Sequence, residues 1–360
     1  MTSSTDPRHE QLCAWLQTTS VAAALDLDTL VLASSDAGFR RYFRVQRRDD
    51  QPSLIAMDAP PPEKSREFVQ VQALLRDAGV RVPSIYAVDV EQGFMLLEDM
   101  GTTAYIDVLS SEDPDAARPL MRRALESLLL WQCASKPDVL PPYDDTLLRR
   151  ELNLFPEWYL GKHLNLTLEP AEAKGLETVF QRLIDNALNQ TQCFVLRDFM
   201  PRNLMVPLPM PGSAAAPAAG SVVPPTGAPV VLDFQDAVMG PATYDVVSLL
   251  RDAFISWDEA FDIDCIAWYW GKAKAAGLPI ETDFAEYYRQ LEWTGLQRHL
   301  KILGLFARLN YRDGKPRYLE DTPRFMAYAR RVAGRYKDLR PLSRLLDKLD
   351  NKTETIGYTF

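Results

Sequence analysis

Residues 194–205 read FVLRDFMPRNLM and residues 231–236 read VLDFQD. Each stretch is a short apolar strand that ends in an aspartate, Asp198 or Asp233, and Asn203 follows Asp198 by five positions. Phosphoryl transfer from a nucleotide needs a carboxylate that takes or orients the acceptor hydroxyl, and oxygen ligands that hold Mg²⁺ on the phosphates. The order of these three residues therefore predicts a phosphoryl-transfer site.

Each of these residues also has a purely structural interpretation. Asp198 could form a turn after its strand, and Asp233 could cap the turn after the next strand. The functional interpretation is favoured because both strands interrupt a helical region that follows a small β-rich region.

The first hundred residues have the pattern of a small, mostly antiparallel sheet with one helix. Short apolar runs separated by polar turns predict strands, and apolar side chains that share one face predict a helix over 66–78. The predicted strands are 30–33, 42–45, 54–57, 85–90 and 94–97.

After Gly101 the pattern changes to long amphipathic segments. The helical spacing of leucines predicts helices over 116–134, 147–162, 170–188 and 243–255, and further helices to about residue 349, with short strands at 193–196 and 230–234. The fold class that follows is α+β and bilobal, with a small antiparallel β-rich N-lobe over 1–100 and a larger, mainly helical C-lobe over 101–350.

Residues 207–229 hold seven of the 26 prolines, together with Ala, Gly and Ser. This composition cannot bury a core, so it predicts a flexible insertion at a hairpin tip.

Composition excludes several classes of protein. The 360 residues are 47% hydrophobic and 25% charged, which is ordinary globular material, and the net charge of −9 disfavours a nucleic-acid partner. The four cysteines form no CxxC pair, which predicts reduced thiols rather than a disulfide or metal framework. The polar start and the lack of a long apolar run predict a cytoplasmic protein without a membrane partner, and we expect a monomer.

The loop motif, followed by GPATYD at 240–245, resembles the aminoglycoside phosphotransferase and choline kinase superfamily of the protein-kinase-like fold. Four further stretches are similar to the anomeric kinases that act on N-acetylmuramate and N-acetylglucosamine in Gram-negative cell-wall recycling. These are SSDAGFRRYFR at 34–44, MDAPPP at 57–62, RRELNLFPEWY at 149–159 and QRHLK at 297–301.

The resemblance implies transfer of the γ-phosphate of ATP to the C1 hydroxyl of an N-acetylated amino sugar, with ATP and Mg²⁺ as cofactors. Asp198 then matches the catalytic base, Asn203 and Asp233 match the Mg²⁺ ligands, and Asp245 matches the buried aspartate that braces the catalytic loop. Asp236 would add outer contacts near the metal and substrate, or would simply cap a turn.

The sequence departs from the pattern of this superfamily at two positions. Leu196 stands where kinase-like loops usually carry a histidine, and Met57 stands where a strand normally ends in a phosphate-binding lysine. Because Met57 is neutral, either Arg44 or Arg41 takes over that role, or the nucleotide is held chiefly by Mg²⁺ and backbone amides. The carboxylate partner is left open between Glu63 and Glu67.

Two other segments are candidates for nucleotide contacts. The small residues of the 34–38 turn would let backbone N–H groups approach the phosphates, and the strand end after residue 97 would take the adenine. The predicted nucleotide-binding residues there are Ser34, Ser35, Asp36, Gly38, Glu98 and Met100.

The acceptor sugar is expected to bind beside the helix over 149–162. Carboxylates there suit sugar hydroxyls and aromatic faces suit the ring, although an ordinary core or surface helix is an equal alternative. The predicted substrate-binding residues are Arg150, Glu151, Glu157, Trp158, Arg202, Asp236 and Arg298. The basic stretch over 298–317 favours an anionic sugar over a cationic aminoglycoside, unless it is only a solvated helix face.

Two alternative functions remain. One is a phosphotransferase for another small alcohol, such as an aminoglycoside or choline. The other is a pseudokinase that binds nucleotide without turnover, which the departures at Met57 and Leu196 favour.

Overall fold

The structure is a computed structural model that describes residues 6–35, 39–208 and 227–356. Contacts between residues divide the chain into two compact units. One comprises Met1–Val108 and Pro201–Asp236, and the other comprises Leu109–Met200 and Ala237–Phe360. The predicted lobes over 1–100 and 101–350 are continuous in sequence, whereas the compact units are not.

The first unit contains a five-stranded antiparallel sheet in the order β1-β2-β3-β5-β4. Its strands are β1 (Leu25–Ser35), β2 (Arg41–Arg47), β3 (Leu54–Asp58), β4 (Ile85–Asp89) and β5 (Phe94–Glu98). The same unit holds the helices α1 (Pro7–Leu16), α2 (Ser65–Asp77) and α3 (Tyr105–Val108). All five predicted strands and the predicted helix over 66–78 are present.

One face of this sheet forms a core with α1. Alternate residues of β2, β3 and β5 point to the same face because side chains alternate along a strand. The buried members of this cluster are Leu12, Leu16, Leu25, Phe43, Val45, Leu54, Ala56, Phe94 and Leu96. The turn between β4 and β5 needs a glycine, because Gly93 has a φ of 74° and a Cβ there would lie 2.0 Å from the carbonyl oxygen of Ala59.

The second unit is mainly helical. Its helices are α4 (Pro114–Cys133), α5 (Asp145–Leu154), α6 (Pro170–Leu188), α7 (Tyr244–Leu250), α8 (Glu259–Ala275), α9 (Phe284–Tyr311), α10 (Thr322–Arg335) and α11 (Arg340–Ile356). The predicted α+β fold class, a small antiparallel sheet followed by a mostly helical remainder, is confirmed.

Two short pairs of strand segments differ from the predicted arrangement. The strand β6 (Gln192–Val195) pairs with β9 (Val238–Pro241), while β7 (Leu204–Met205) pairs with β8 (Val230–Val231). The predicted strand over 230–234 is therefore shorter than expected. The predicted insertion over 207–229 falls in the connection between β7 and β8, and its residues 209–226 lie outside the described part of the chain.

The segment predicted as one helix over 147–162 changes type at Phe155. Helix α5 ends at Leu154 and a π-helix follows over Phe155–His163. Pro156 has no N–H to donate to the preceding turn, so the α-helical hydrogen-bond pattern is interrupted there.

The beginning of this π-helix packs closely against α9. A Cβ on Gly304 would lie 2.2 Å from the carbonyl carbon and oxygen of Leu154. Only a residue without a side chain fits at this crossing.

In the described ranges no helix is long and apolar enough to cross a membrane.

Candidate active site

The strand β6 leads into the predicted catalytic loop, which is held by a buried carboxylate on α7. Asp245 Oδ2 accepts a hydrogen bond of 2.6 Å from the backbone N–H of Leu196, and its Oδ1 accepts one of 3.0 Å from that of Arg197. Burial raises the pKa of Asp245 to about 7, although the two backbone N–H donors act in the opposite direction. Asp245 thus fixes the two residues that precede Asp198.

Arg197 has a φ of 71°, which is uncommon for a residue with a side chain. Two contacts hold this conformation, the backbone bond to Asp245 and an ion pair between its guanidinium and Glu151. Backbone strain of this kind persists only where the surroundings enforce it, and it is common at functional sites. The half-buried Asp198 is the next residue in the chain.

Glu151 lies at the centre of a buried network in the second unit. Its Oε1 is 3.0 Å from Nζ of Lys301, and its Oε2 accepts from the hydroxyl of Tyr143 and, at 3.3 Å, from Gln297. Burial raises the pKa of Glu151, but the charges of Lys301 and Arg197 outweigh burial, so this pKa is lowered. The carboxylate that was predicted to bind sugar is therefore engaged by protein side chains.

The same network extends electrostatically to Asp198. Burial lowers the pKa of Lys301, whereas the charge of Glu151 and, more weakly, that of Asp198 raise it, with a net upward shift. The charge of Asp198 also contributes to the raised pKa of Arg197. Asp198 therefore lies within electrostatic range of two fixed cations of its own unit.

In the first unit, the structure brings the two predicted metal ligands together. Asn203 ends a short 3-10 helix, Pro201–Asn203, and its carbonyl oxygen accepts from the N–H of Leu232 at 2.9 Å. Its side-chain amide lies 3.4 Å from Oδ2 of Asp233. Pairing of β7 with β8 explains this contact, because Leu204 lies opposite Val231.

Asp233 also contacts Arg40, which sequence reasoning did not single out. The guanidinium Nη2 lies 3.1 Å from Oδ1 of Asp233, and Gln235 donates to the same oxygen at 2.8 Å. Asp233 has a φ of 57°, so its backbone is again in a conformation that is unusual for a residue with a side chain.

The two arginines predicted to take over from the missing lysine are paired with other carboxylates. Arg41 contacts Asp58 at 2.7 Å, and Arg44 donates to Asp99 at 3.0 Å. Met57 is buried in β3 and carries no charge.

The other predicted nucleotide contacts are distributed along the first unit. Ser34 and Ser35 end β1, while Asp36 and Gly38 lie outside the described residues. Glu98 ends β5 and is paired with Arg81. Met100 packs in an apolar cluster with Met205 and Val230, with Ala104 and Leu232 against it.

A family model described as the phosphotransferase enzyme family matches residues 29–215 and 221–278. A named N-acetylmuramate/N-acetylglucosamine kinase of Pseudomonas putida is 44% identical over 352 residues, which are 96% of this chain and 97% of the relative. The chain belongs to this phosphotransferase family. It is accordingly a phosphotransferase enzyme, as the sequence predicted.

Two solved structures share the fold with this chain at low sequence identity. The choline kinase LicA from Streptococcus pneumoniae has a TM-score of 0.59 at 11% identity, with 91% of this chain and all of the other covered. An ADP-bound aminoglycoside phosphotransferase has a TM-score of 0.52 at 15% identity, covering 89% of this chain and 97% of the other.

The predicted substrate-binding residues of this phosphotransferase have mixed exposure. Arg150, Glu157 and Arg202 are exposed and Trp158 is half-buried. Asp236 is paired with Lys64, and Arg298 is buried in α9. The structure does not gather them into one cluster within either unit: Arg202 and Asp236 belong to the first unit and the others to the second.

The donor set of Asn203 and Asp233 fits magnesium in a phosphotransferase. Mg²⁺ is usually bound by one or two protein oxygen ligands together with substrate phosphates and water, rather than by a full protein cage. The described residues contain no group of three or more His, Cys, Asp and Glu side chains that could hold a metal.

Proposed function

We propose that this chain is an ATP-dependent sugar kinase that phosphorylates the anomeric C1 hydroxyl of N-acetylmuramate, N-acetylglucosamine or both. The observation that carries the proposal is the 44% identity, over nearly the whole of both chains, to a kinase named for these two sugars. The catalytic-loop residues of the proposed chemistry are all present.

Asp198 is the proposed catalytic base. It accepts the proton of the C1 hydroxyl while the hydroxyl oxygen forms a bond to the γ-phosphorus of ATP. The bond between that phosphorus and the bridging oxygen breaks, and ADP leaves with the bond's electron pair. The product is the α-1-phosphate of the sugar.

The surrounding residues position Asp198 for this step. Asp245 holds the backbone of Leu196 and Arg197, and the Glu151–Lys301–Arg197 network fixes the cations next to Asp198. Such fixed groups need no rearrangement when charge moves during the reaction. Residues of this network are therefore positioning residues in the proposal.

Asn203 and Asp233 are the proposed ligands of Mg²⁺. When bound, the metal neutralises charge on the transferring phosphates. The adenine is proposed to contact the apolar cluster around Met100, and Ser34, Ser35, Asp36 and Gly38 are proposed to cover the phosphates.

The acceptor is proposed to be an anionic sugar in preference to a cationic one. Burial lowers the pKa of Arg308 and the charges of Arg312 and Arg150 lower it further, while Asp313, which is paired with Arg312, raises it. The positive charge of Arg308 and Arg150 attracts an anion, such as the lactyl carboxylate of N-acetylmuramate. A cationic aminoglycoside would be repelled there.

The proposed setting is peptidoglycan recycling in the cytoplasm, where ATP and reduced thiols are available. Cys193 and Cys265 are buried thiols, which is compatible with a reducing compartment.

Substrate-dependent ADP release tests the proposal. We expect release with N-acetylmuramate and N-acetylglucosamine, and none with kanamycin or choline. Activity on kanamycin or choline, with none on the two sugars, would show that the substrate is another alcohol and would refute the proposal. Nucleotide binding with no acceptor-dependent ADP release would favour the alternative of a pseudokinase instead.

A further inference from the structure

The nucleotide site of a phosphotransferase needs a cation for the phosphates, and the usual strand position does not supply it. Met57 is buried and neutral. Arg41 is shared between Asp58 and Asp6, and Arg44 is paired with Asp99. Asp58, Asp6 and Asp99 are not proposed metal ligands, so these pairings do not direct Arg41 or Arg44 to the proposed metal site.

Arg40 lies directly before β2 and reaches the proposed metal ligand within its own compact unit. Its Nη2 is 3.1 Å from Oδ1 of Asp233, and its Nη1 donates to Oε1 of Gln235 at 2.7 Å. Its Nε lies 3.2 Å from Oε2 of Glu63, just before α2. The residue is only 8% exposed.

This arrangement is costly as a purely structural device. A guanidinium loses its hydration when it is buried, and a pair with a carboxylate restores that loss only in part. Here Arg40 is shared between Asp233, whose φ is 57°, and Glu63 on a different segment. Buried charge and an unusual backbone at one point indicate that the position of the guanidinium has a use beyond stability.

The contact with Glu63 provides the second observation. Protein kinases place a lysine between the nucleotide phosphates and a glutamate of the following helix. The Arg40–Glu63 pair corresponds to this lysine–glutamate pair, because it joins a cation next to β2 to a glutamate just before α2. It also resolves the open choice of carboxylate, because Glu67 is exposed on α2 while Glu63 makes the contact.

We propose that Arg40 is the phosphate-binding cation of the nucleotide site and that Glu63 and Gln235 hold its guanidinium in place. Arg40 contacts the carboxylate that would hold the metal, and its planar donors suit the oxygens of the phosphates that such a metal would bind. The inference rests on the proposed nucleotide-dependent function and adds the residue that replaces the missing lysine.

The test compares the binding of ADP and adenosine, with Mg²⁺ present, by displacement of a fluorescent adenine nucleotide. For Arg40→Met we expect ADP affinity to fall about tenfold or more, with adenosine affinity unchanged. Arg40→Lys should lose less, because it keeps the charge but not the fork of donors. Arg47→Met is the matched control, since Arg47 lies on β2 and pairs with Asp49, and it should bind ADP normally.

Three results would overturn the proposal. One is unchanged ADP affinity in a folded Arg40→Met protein. Another is an equal loss for adenosine and ADP, which a merely structural role would produce. The third is a loss confined to Arg41→Met or Arg44→Met. A wild-type protein that binds ADP but phosphorylates no sugar would refute the proposed function while leaving this inference measurable through ADP binding.

Discussion

Asp198 follows a backbone position, Arg197, that two side chains hold at positive φ. Replacement of Asp198 by Asn preserves its size and removes its ability to accept a proton. We expect Asp198→Asn to lower kcat by about 10² to 10⁴-fold, as general base catalysis is typically worth, with nearly unchanged nucleotide affinity. Steady-state kinetics and ADP binding measure the two effects, and unchanged turnover would remove Asp198 from its role.

Asp245 gives a prediction about pH and stability. Its pKa is about 7 in the folded chain, against 3.8 as its ordinary value. The folded state therefore binds more protons between these values, and the free energy of unfolding falls as pH rises through that window. Each pH unit is worth 1.36 kcal/mol, so the full range is worth about 4 kcal/mol.

Asp245→Asn should remove this slope. We expect the difference in free energy of unfolding between the Asn variant and the wild type to move in favour of the variant from about pH 5 to about pH 7. The lost hydrogen bond adds a constant offset and does not change the slope. Urea unfolding at several pH values gives the comparison, and parallel curves would contradict the raised pKa.

At the residue scale, the sequence alone identified candidate residues that lie close together along the chain. Asp198 and Asn203 are five positions apart, and their order with Asp233 was sufficient to predict the chemistry. Arg40 was missed because its contact joins positions 193 residues apart. Three arginines lie within residues 40–44, and no local pattern tells which of them faces a distant loop.

At the scale of elements, the crossing of α9 over the end of α5 depends on Gly304. A methyl group there would meet backbone atoms of Leu154 that cannot rotate away. We expect Gly304→Ala to lower the free energy of unfolding by about 1–3 kcal/mol or more, since overpacking forces the backbone to shift. Denaturant unfolding measures the loss.

Gly271 provides the matched control for that substitution. It lies exposed inside α8, and a Cβ there meets nothing within 4 Å. Gly271→Ala should therefore stabilise the protein by about 0.5–1 kcal/mol through helix propensity. Equal changes in the free energy of unfolding for the two substitutions would mean that close packing against Leu154 does not restrict the residue at position 304.

Periodicity predicted most elements but not their pairings or their type. The strand segments at 193 and 230 were both recognised, yet β6 pairs with β9 and β8 pairs with β7. Pairing depends on long-range register, which apolar patterns do not encode uniquely. The helix predicted over 147–162 likewise did not reveal its π-helical half, although Pro156 was a signal for a break.

At the scale of the whole molecule, the chain forms two units that are discontinuous in sequence. A change from β-rich to helical patterns near residue 101 predicts a boundary there, whereas the first segment of the first unit extends to Val108. The assignment of Pro201–Asp236 to the first unit could not be predicted in this way. It depends on contacts such as the backbone bond from Val231 to Arg81, which join distant positions.

The charge distribution gives a prediction about substrate choice. The net charge is −9, but in the second unit the charges of Arg312 and Arg150 lower the pKa of Arg308, with Asp313 acting in the opposite direction. Salt shortens the screening length from about 8 Å at physiological strength to about 3 Å at 1 M. We expect the KM for N-acetylmuramate to rise severalfold with added salt, while that for N-acetylglucosamine stays nearly constant, because only the former carries a carboxylate.

Steady-state kinetics at several salt concentrations measures the KM of the same enzyme for each of the two sugars. Arg308→Gln should abolish the difference in salt dependence between them. An equal salt effect on both KM values would show that Arg308 and the neighbouring arginines do not contact the lactyl group.

Phosphorus NMR of the product formed from N-acetylmuramate and ATP shows whether the phosphoryl group goes to the anomeric oxygen. We expect a sugar 1-phosphate, in which the phosphorus couples through oxygen to the single proton on C1. A product whose phosphorus couples to the two protons of a 6-phosphate would contradict it.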